Sequence, residues 1–315
     1  MGGTPVQPLK IAVANYGLTL PLKRGEVPLG RLPLEFVEVD PITTSGMRPM
    51  VRTLAFDICE MAFTTYLCAR AAGKPITAIP VFLTRNFHHR AALVNVNSGI
   101  KAPKDLEGRT VGVNRGYTVT TGAWIRGILQ HEYGVDLDKI TWAPTDEEHV
   151  AEYRPPRNVD HRFMGKPILD LLRSGELPAA IGDLRTDAAE LRPLIPEARE
   201  AGYASFRKTG VYPVNHSVVV KNAVLEAEPW VAEELFRVFS AAKALYLERL
   251  RAGRETSAAD KAALELAGVV GDPFPFGVAP NRKPVETLVG YAVEQHLIPA
   301  PMTPEALFAK STLGL

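Results

Sequence analysis

The chain has 315 residues, 46% of them hydrophobic and 23% charged, with a formal net charge of +1. That profile is globular rather than disordered, and the length allows two domains of ordinary size, each with its own core. A near-neutral chain has no global field to gather nucleic acid, so anion binding must be local. No apolar run approaches the roughly 20 residues of a membrane span.

The opening stretch MGGTPVQPLKIAVANYG enters a first strand at residues 10–14 without the basic segment or apolar h-region of a secretory signal, so a cytoplasmic chain is expected. Apolar, β-branched runs predict further strands at 34–39, 56–58, 76–82 and 91–96. Helical spacing fills 45–54, with Thr43, Thr44 and Ser45 as cap candidates, and then 63–72. This βαβ rhythm predicts a mostly parallel sheet covered by helices. Near residue 100 the texture shifts to the polar link SGIKAPKDLEGRTVGVNRG, and a second α/β set begins. Its strands are predicted at 110–113, 139–143 and 179–181, its helices at 119–133 and 166–174. A strand at 217–220 leads into a long helix, 225–251, on which Val231, Leu235, Val238 and Leu245 share a face. GDPFPFG at 271–277 is a loop by its Pro and Gly content, and helices at 284–296 and 304–310 close the chain. No internal repeat is present. The pattern is one α/β domain interrupted by another: residues 1–97 with 216–315 form the first lobe and 98–215 the inserted second. The exposed apolar content of the last helices would permit a homodimer.

In open α/β sheets, ligands bind at the carboxyl ends of the strands. Those ends present Asn15 and Tyr16, then 41–48 with Arg48, then Glu60 and Met61, then 84–89 with Arg85, His88 and His89. Successive side chains on a strand point to opposite faces, so His88 and His89 cannot both face one ligand. His89, nearer the strand 91–96, is the candidate, and His216 in YPVNHSVVV stands similarly beside the second crossing. The plainer role for each is a hydrogen-bonded crossover histidine. In VNRGYTVTTGAWIRGIL a strand passes through a glycine into a helix, where Tyr117, Thr118, Val119, Thr120 and Thr121 offer N–H groups and hydroxyls to an anion. Ordinary capping is the alternative there. GxGxxG, a Walker loop and a GxSxG elbow are all absent. None of the seven histidines forms HxH or HExxH, so no metal is expected. Cys59 and Cys68 stand nine positions apart and read as packed small hydrophobes without a disulfide.

Several runs together resemble the 4,5-dihydroxyphthalate decarboxylase family: FDICEMAFTTYLCARAAG, IPVFLTRNFHHRAALVNVNSGIKAPKDLEGRTVGV, DEEHV with PPRNV, and FPFGVAPNRKPVETLVGYAVEQHLIPAPMTPEALF. The resemblance implies a two-lobed, type II periplasmic-binding-protein-like α/β fold with a ligand cleft between the lobes. It also implies loss of one carboxylate from a dihydroxylated phthalate, an aromatic dicarboxylate, to give a protocatechuate-like product without an organic cofactor. Each carboxylate of such a substrate has a hydroxyl para to it, so ionising that hydroxyl pushes electrons onto the carbon that must be protonated. The site then needs donors for the second carboxylate and groups to move protons. Arg48, Arg85 and the helix start at 118–121 take the first role and His89 and His216 the second, with Tyr16 and Glu60 lining the site. The histidine of the family's motif falls at His89. A solute-binding protein for an aromatic or sulfonated anion is the competing reading, since fold alone does not imply chemistry.

Overall fold

The computed structural model describes residues 7–315. The chain opens with β1 (Leu9–Ala12), β2 (Leu34–Phe36), β3 (Ile58–Ala62) and β4 (Ile76–Arg85). It continues through β5 (Ala92–Asn95), β6 (Thr110–Val113), β7 (Thr141–Pro144), β8 (Ala179–Ile181) and β9 (Leu191–Pro193), and returns in β10 (Val214–Lys221). Two compact units result. The first gathers the chain up to Arg85, Val214–Arg282 and Met302–Leu315, and the second Asn86–Pro213 and Lys283–Pro301.

The sheet of the first unit runs β2-β1-β3-β10-β4, and that of the second β7-β6-β8-β5-β9. Both follow one plan. Three parallel strands come first, the fourth runs antiparallel to them, and the fifth is antiparallel to the fourth. In the first unit Ile11, Val13, Ile58, Ile79, Val81, Val218 and Val220 bury one face against Val231, Leu235, Val238 and Phe239 of the helix Val231–Arg251. Burying such a side chain contributes roughly 1.5–3 kcal/mol, so this face alone holds the helix to the sheet. The opposite face carries an aromatic cluster of Phe63, Tyr66, Phe82 and Phe308. In the second unit Leu93, Ala143 and Ala180 pack against Ile168, Leu171 and Leu172 of the helix Ile168–Arg173.

The division differs from the expected one in two places. The first passage lies at Arg85/Asn86 rather than near residue 97, because Ala92–Asn95 pairs with β8 and β9 and so belongs to the second sheet. Residues 283–301, expected in the first lobe, return to the second unit. The long helix expected at 225–251 is two helices, Asn222–Ala227 and Val231–Arg251. Pro229 lacks an N–H and drives Glu228 out of the helical region, to φ −134° and ψ 74°. β4 runs on to Arg85 and β10 begins at Val214, so Arg85 and His216 lie within strands. The helices Ala198–Thr209 and Ala258–Val270 and the strand β9 had no counterpart in the sequence pattern. No helix among the described residues is long and apolar enough to cross a membrane.

Candidate functional site

In the first unit the sequence candidates converge on one carboxylate. Glu60 lies on β3, two positions after Ile58, so strand alternation turns both toward the same face. Glu60 is fully buried, and taking a carboxylate out of water costs several kcal/mol. Three donors offset that cost. Ala14 N–H donates to Oε2 at 2.9 Å, the Tyr16 hydroxyl to Oε1 at 2.7 Å, and His216 Nδ1 to Oε1 at 2.6 Å. Hydrogen bonds to a charged group are worth roughly 1.5–3 kcal/mol each, so together they match the desolvation.

Tyr16 is held by its own turn, its N–H donating to Thr19 Oγ1 at 2.9 Å while that hydroxyl donates to Ala14 O at 2.6 Å. Burial, then the Glu60 charge and hydrogen bond, push the Tyr16 phenol far above its usual range, so it stays a donor. Burial and the Glu60 charge keep Cys59 a thiol. An ionised carboxylate can only accept, so His216 carries its hydrogen on Nδ1 and presents the Nε2 lone pair on the other side of the ring. The His216 side chain is 16% exposed, and the bond to Glu60 engages its Nδ1. β10 carries irregular register with β4 on both sides of His216, and such bulges re-aim side chains.

Arg85 ends β4 with its guanidinium beside the Phe82 ring, Cζ 5.2 Å from the centroid. Its Nη2 donates to Pro275 O at 3.3 Å and to Asn281 Oδ1. Asn281 is itself buried and donates to Pro275 O and Gly277 O at 2.9 and 2.7 Å, so the loop at 271–277 positions the arginine. Arg48 opens the helix Arg48–Thr53 and is half-buried. Ala62 N–H donates to Met47 Sδ at 3.3 Å, which seats that helix start against the end of β3.

The second unit holds the other candidates. His89 is 3% exposed, and its Nε2 meets Glu132 Oε2 at 2.9 Å. Nδ1, the remaining nitrogen, is buried without a partner, and a Cβ placed on Gly202 would stand 3.3 Å from it. Burial alone would raise the Glu132 carboxyl, but the His89 hydrogen bond and charge, with Ser205 Oγ donating at 2.8 Å, hold it below the usual carboxylate range. His88 lies parallel to Trp124, ring centroids 6.3 Å apart.

The helix Thr120–Tyr133 begins where expected, with Val119 at its cap position. Its approach is not vacant for an anion. Glu148 fills it, Oε1 accepting from Tyr117 N–H at 2.5 Å and Oε2 from Thr118 N–H at 3.1 Å and Thr118 Oγ1 at 2.5 Å. The anion-binding role expected of Tyr117 and Thr118 is corrected accordingly, since the chain supplies its own carboxylate to both; Val119 takes the cap position, and Thr120 and Thr121 are buried. Beneath lies fully buried Arg126, donating to Gln295 Oε1 and Tyr117 O, each at 2.8 Å, with Cζ 3.9 Å from the Tyr117 ring centroid. Burial pushes Glu148 up and Arg126 down.

The structure brings Tyr16, Glu60 and His216, each a candidate from the sequence, into one hydrogen-bonded cluster, while His89 bonds Glu132 and Arg85 bonds Asn281. Sequence reasoning had no cluster to offer. It missed Glu132, Glu148, Arg126 and Asn281, whose partners lie far off in sequence or are not acid–base types. Among the described residues no three His, Cys, Asp or Glu side chains form a metal-ligand group.

The family described as NMT1/THI5 like matches residues 37–165. The 4,5-dihydroxyphthalate decarboxylase of Comamonas testosteroni is 31% identical over 256 residues, covering 77% of this chain and 76% of that protein. The enzyme of the same name from Pseudomonas putida is 31% identical over 182 residues, covering 55% of this chain and 69% of its own length. Among solved structures, the periplasmic aliphatic sulphonate binding protein of Escherichia coli superposes with a TM-score of 0.55 at 14% identity, covering 98% of this chain and all of that one. At that identity the likeness is one of fold, a periplasmic-binding-protein-like α/β architecture.

Proposed function

This chain belongs to the 4,5-dihydroxyphthalate decarboxylase family, and from that premise we propose that it releases one carboxylate of a dihydroxylated phthalate as carbon dioxide. The observation that carries the reading is the Tyr16–Glu60–His216 cluster at the carboxyl end of β3. A histidine with one nitrogen fixed by a buried carboxylate and the other open is the arrangement of a general base. In this reading Nε2 of His216 takes the proton of the hydroxyl para to the departing carboxylate. The electron pair moves into the ring, a proton from solvent enters the carbon bearing that carboxylate, and a dienone-like intermediate forms. Breaking the carbon–carboxylate bond returns its electrons to the ring and releases carbon dioxide. His216 then gives its proton back to the phenolate oxygen. Glu60 holds the positive charge while it exists, and Tyr16 holds Glu60. Arg85 and Arg48 take the second carboxylate.

His89 does not share this arrangement, because one nitrogen is engaged by Glu132 and the other is buried without a partner. Single-turnover decarboxylation of 4,5-dihydroxyphthalate separates the two histidines. His216→Asn loses about 10²- to 10⁴-fold in rate with binding retained, while His89→Asn turns over within about tenfold of the parent. A slow His89→Asn beside a fast His216→Asn would reverse the assignment. The second reading, a solute-binding protein for an aromatic or sulfonated anion, draws on the fold shared with the sulphonate binding protein. It predicts tight binding and no carbon dioxide.

A further inference from the structure

We propose that a cavity inside the second unit binds a hydroxylated aromatic monocarboxylate. The cavity has a volume of about 340 Å³, within the range of small-molecule sites and ample for one substituted ring. Phe87, Trp124 and Tyr291 line it, and the Trp124 and Tyr291 rings meet edge to face with centroids 5.6 Å apart. Such walls grip an aromatic ring by stacked and edge contacts. Tyr291 reaches this position because residue 127 is glycine: a Cβ there would stand 2.1 Å from Tyr291 Cδ2. A mid-helix glycine is disfavoured relative to alanine, so the ring's placement is maintained against local propensity.

Two opposite charges line the cavity. Glu132 is held in its ionised form by His89 and Ser205, which occupy one lone-pair position on each oxygen and leave others to accept from a phenolic hydroxyl. Lys283 is exposed and has no ion-pair or hydrogen-bond partner for its Nζ among the described residues. Its Nζ lies 3.9 Å from where a Cβ on Gly210 would stand, beside the lining residues Thr209 and Val211. A ring between these groups presents a carboxylate to Lys283 and a hydroxyl to Glu132. A dicarboxylate is disfavoured, since its second charge would meet Glu132. The decarboxylase reading makes this the chemical class of the reaction product, and only that identification rests on it; the recognition chemistry does not.

Calorimetric titration with 3,4-dihydroxybenzoate tests the site without turnover. The parent binds one equivalent that Lys283→Ala weakens about tenfold and Lys283→Glu abolishes, the loss expected for a charge-assisted contact. Catechol, without the carboxylate, binds all three proteins alike, and phthalate does not compete for that equivalent. The proposal is overturned if Lys283→Glu binds as many equivalents as tightly as the parent, or if phthalate competes there. A protein that releases no carbon dioxide yet loses the equivalent in Lys283→Glu would sink the decarboxylase reading and leave this site standing; an active protein indifferent to Lys283→Glu would do the reverse.

Discussion

Glu60→Gln is the sharpest perturbation of the proton-transfer cluster, because it preserves shape and removes only acceptor capacity and charge. The carboxylate accepts from Tyr16 and His216 on one oxygen and from Ala14 N–H on the other. Glutamine has one oxygen to offer. If it faces Tyr16 and His216, the new NH₂ opposes Ala14 N–H and leaves a buried donor unpaired, at a cost of about 1–3 kcal/mol. If it faces Ala14, the NH₂ opposes both the phenol and the Nδ1 hydrogen, and His216 must move its hydrogen to Nε2. That tautomer cannot take a proton from substrate. In either orientation the charge that stabilised a protonated His216 is gone, so turnover falls at least about 100-fold, as for loss of the base itself. The removed desolvation penalty offsets part of that loss, leaving a net cost of about 1 kcal/mol. Urea unfolding followed by circular dichroism reads the shift of the midpoint, and single-turnover carbon dioxide release reads the rate. A variant with parental midpoint and a rate within threefold of the parent would falsify the role assigned to Glu60.

Three further outcomes follow from other parts of the structure. Gly127→Ala places a Cβ 2.1 Å from the Tyr291 ring, so thermal unfolding occurs earlier despite alanine's better helix propensity, by roughly 1–3 kcal/mol; an unchanged or raised midpoint would show that the helices separate freely. The folded-state pKa of Tyr16 is raised, so its stabilising contribution is complete below the unfolded value near 10 and is lost as pH rises toward the folded value. Tyr16→Phe should therefore reduce the alkaline fall in stability, and an identical alkaline slope would contradict the buried phenol. Glu132 has the opposite sign: its folded-state pKa is lowered, so its contribution is present above the unfolded value near 4.3 and disappears as pH falls through the folded one. Glu132→Gln should flatten that part of the acid limb in a urea-midpoint series against pH, and parallel curves would refute it.

Most strand positions were legible because β-branched runs bounded by Gly and Pro have a local cause, and the helix Thr120–Tyr133 matched its pattern to within a residue. The helix at 225–251 misled because apolar periodicity outweighed Pro229, whose backbone effect breaks the run. The sheet to which Ala92–Asn95 belongs was not legible at all, since its partners β8 and β9 lie more than 80 positions away. Tyr16, Glu60 and His216 were legible as strand-end residues, but their sharing of one carboxylate depends on the register that sets His216 opposite Ala62. His89 looked equivalent to His216 in sequence. Glu132, 43 positions on, and Gly202 decide its surroundings, and neither carries a signal that points back to a histidine. Glu148 shows the same limit: a helix start reads as an anion site whether the anion is a ligand or the chain's own side chain.

The measurement that bears most directly on the account is carbon dioxide release from 4,5-dihydroxyphthalate by the purified protein, with the aromatic product identified in the same sample. The mechanism predicts one equivalent of carbon dioxide per substrate consumed, 3,4-dihydroxybenzoate as the product, and about 10²- to 10⁴-fold slower formation of both by His216→Asn. Tight binding of 4,5-dihydroxyphthalate with no carbon dioxide and no change in the ligand would contradict it, and would make this chain a binding protein built on the same fold.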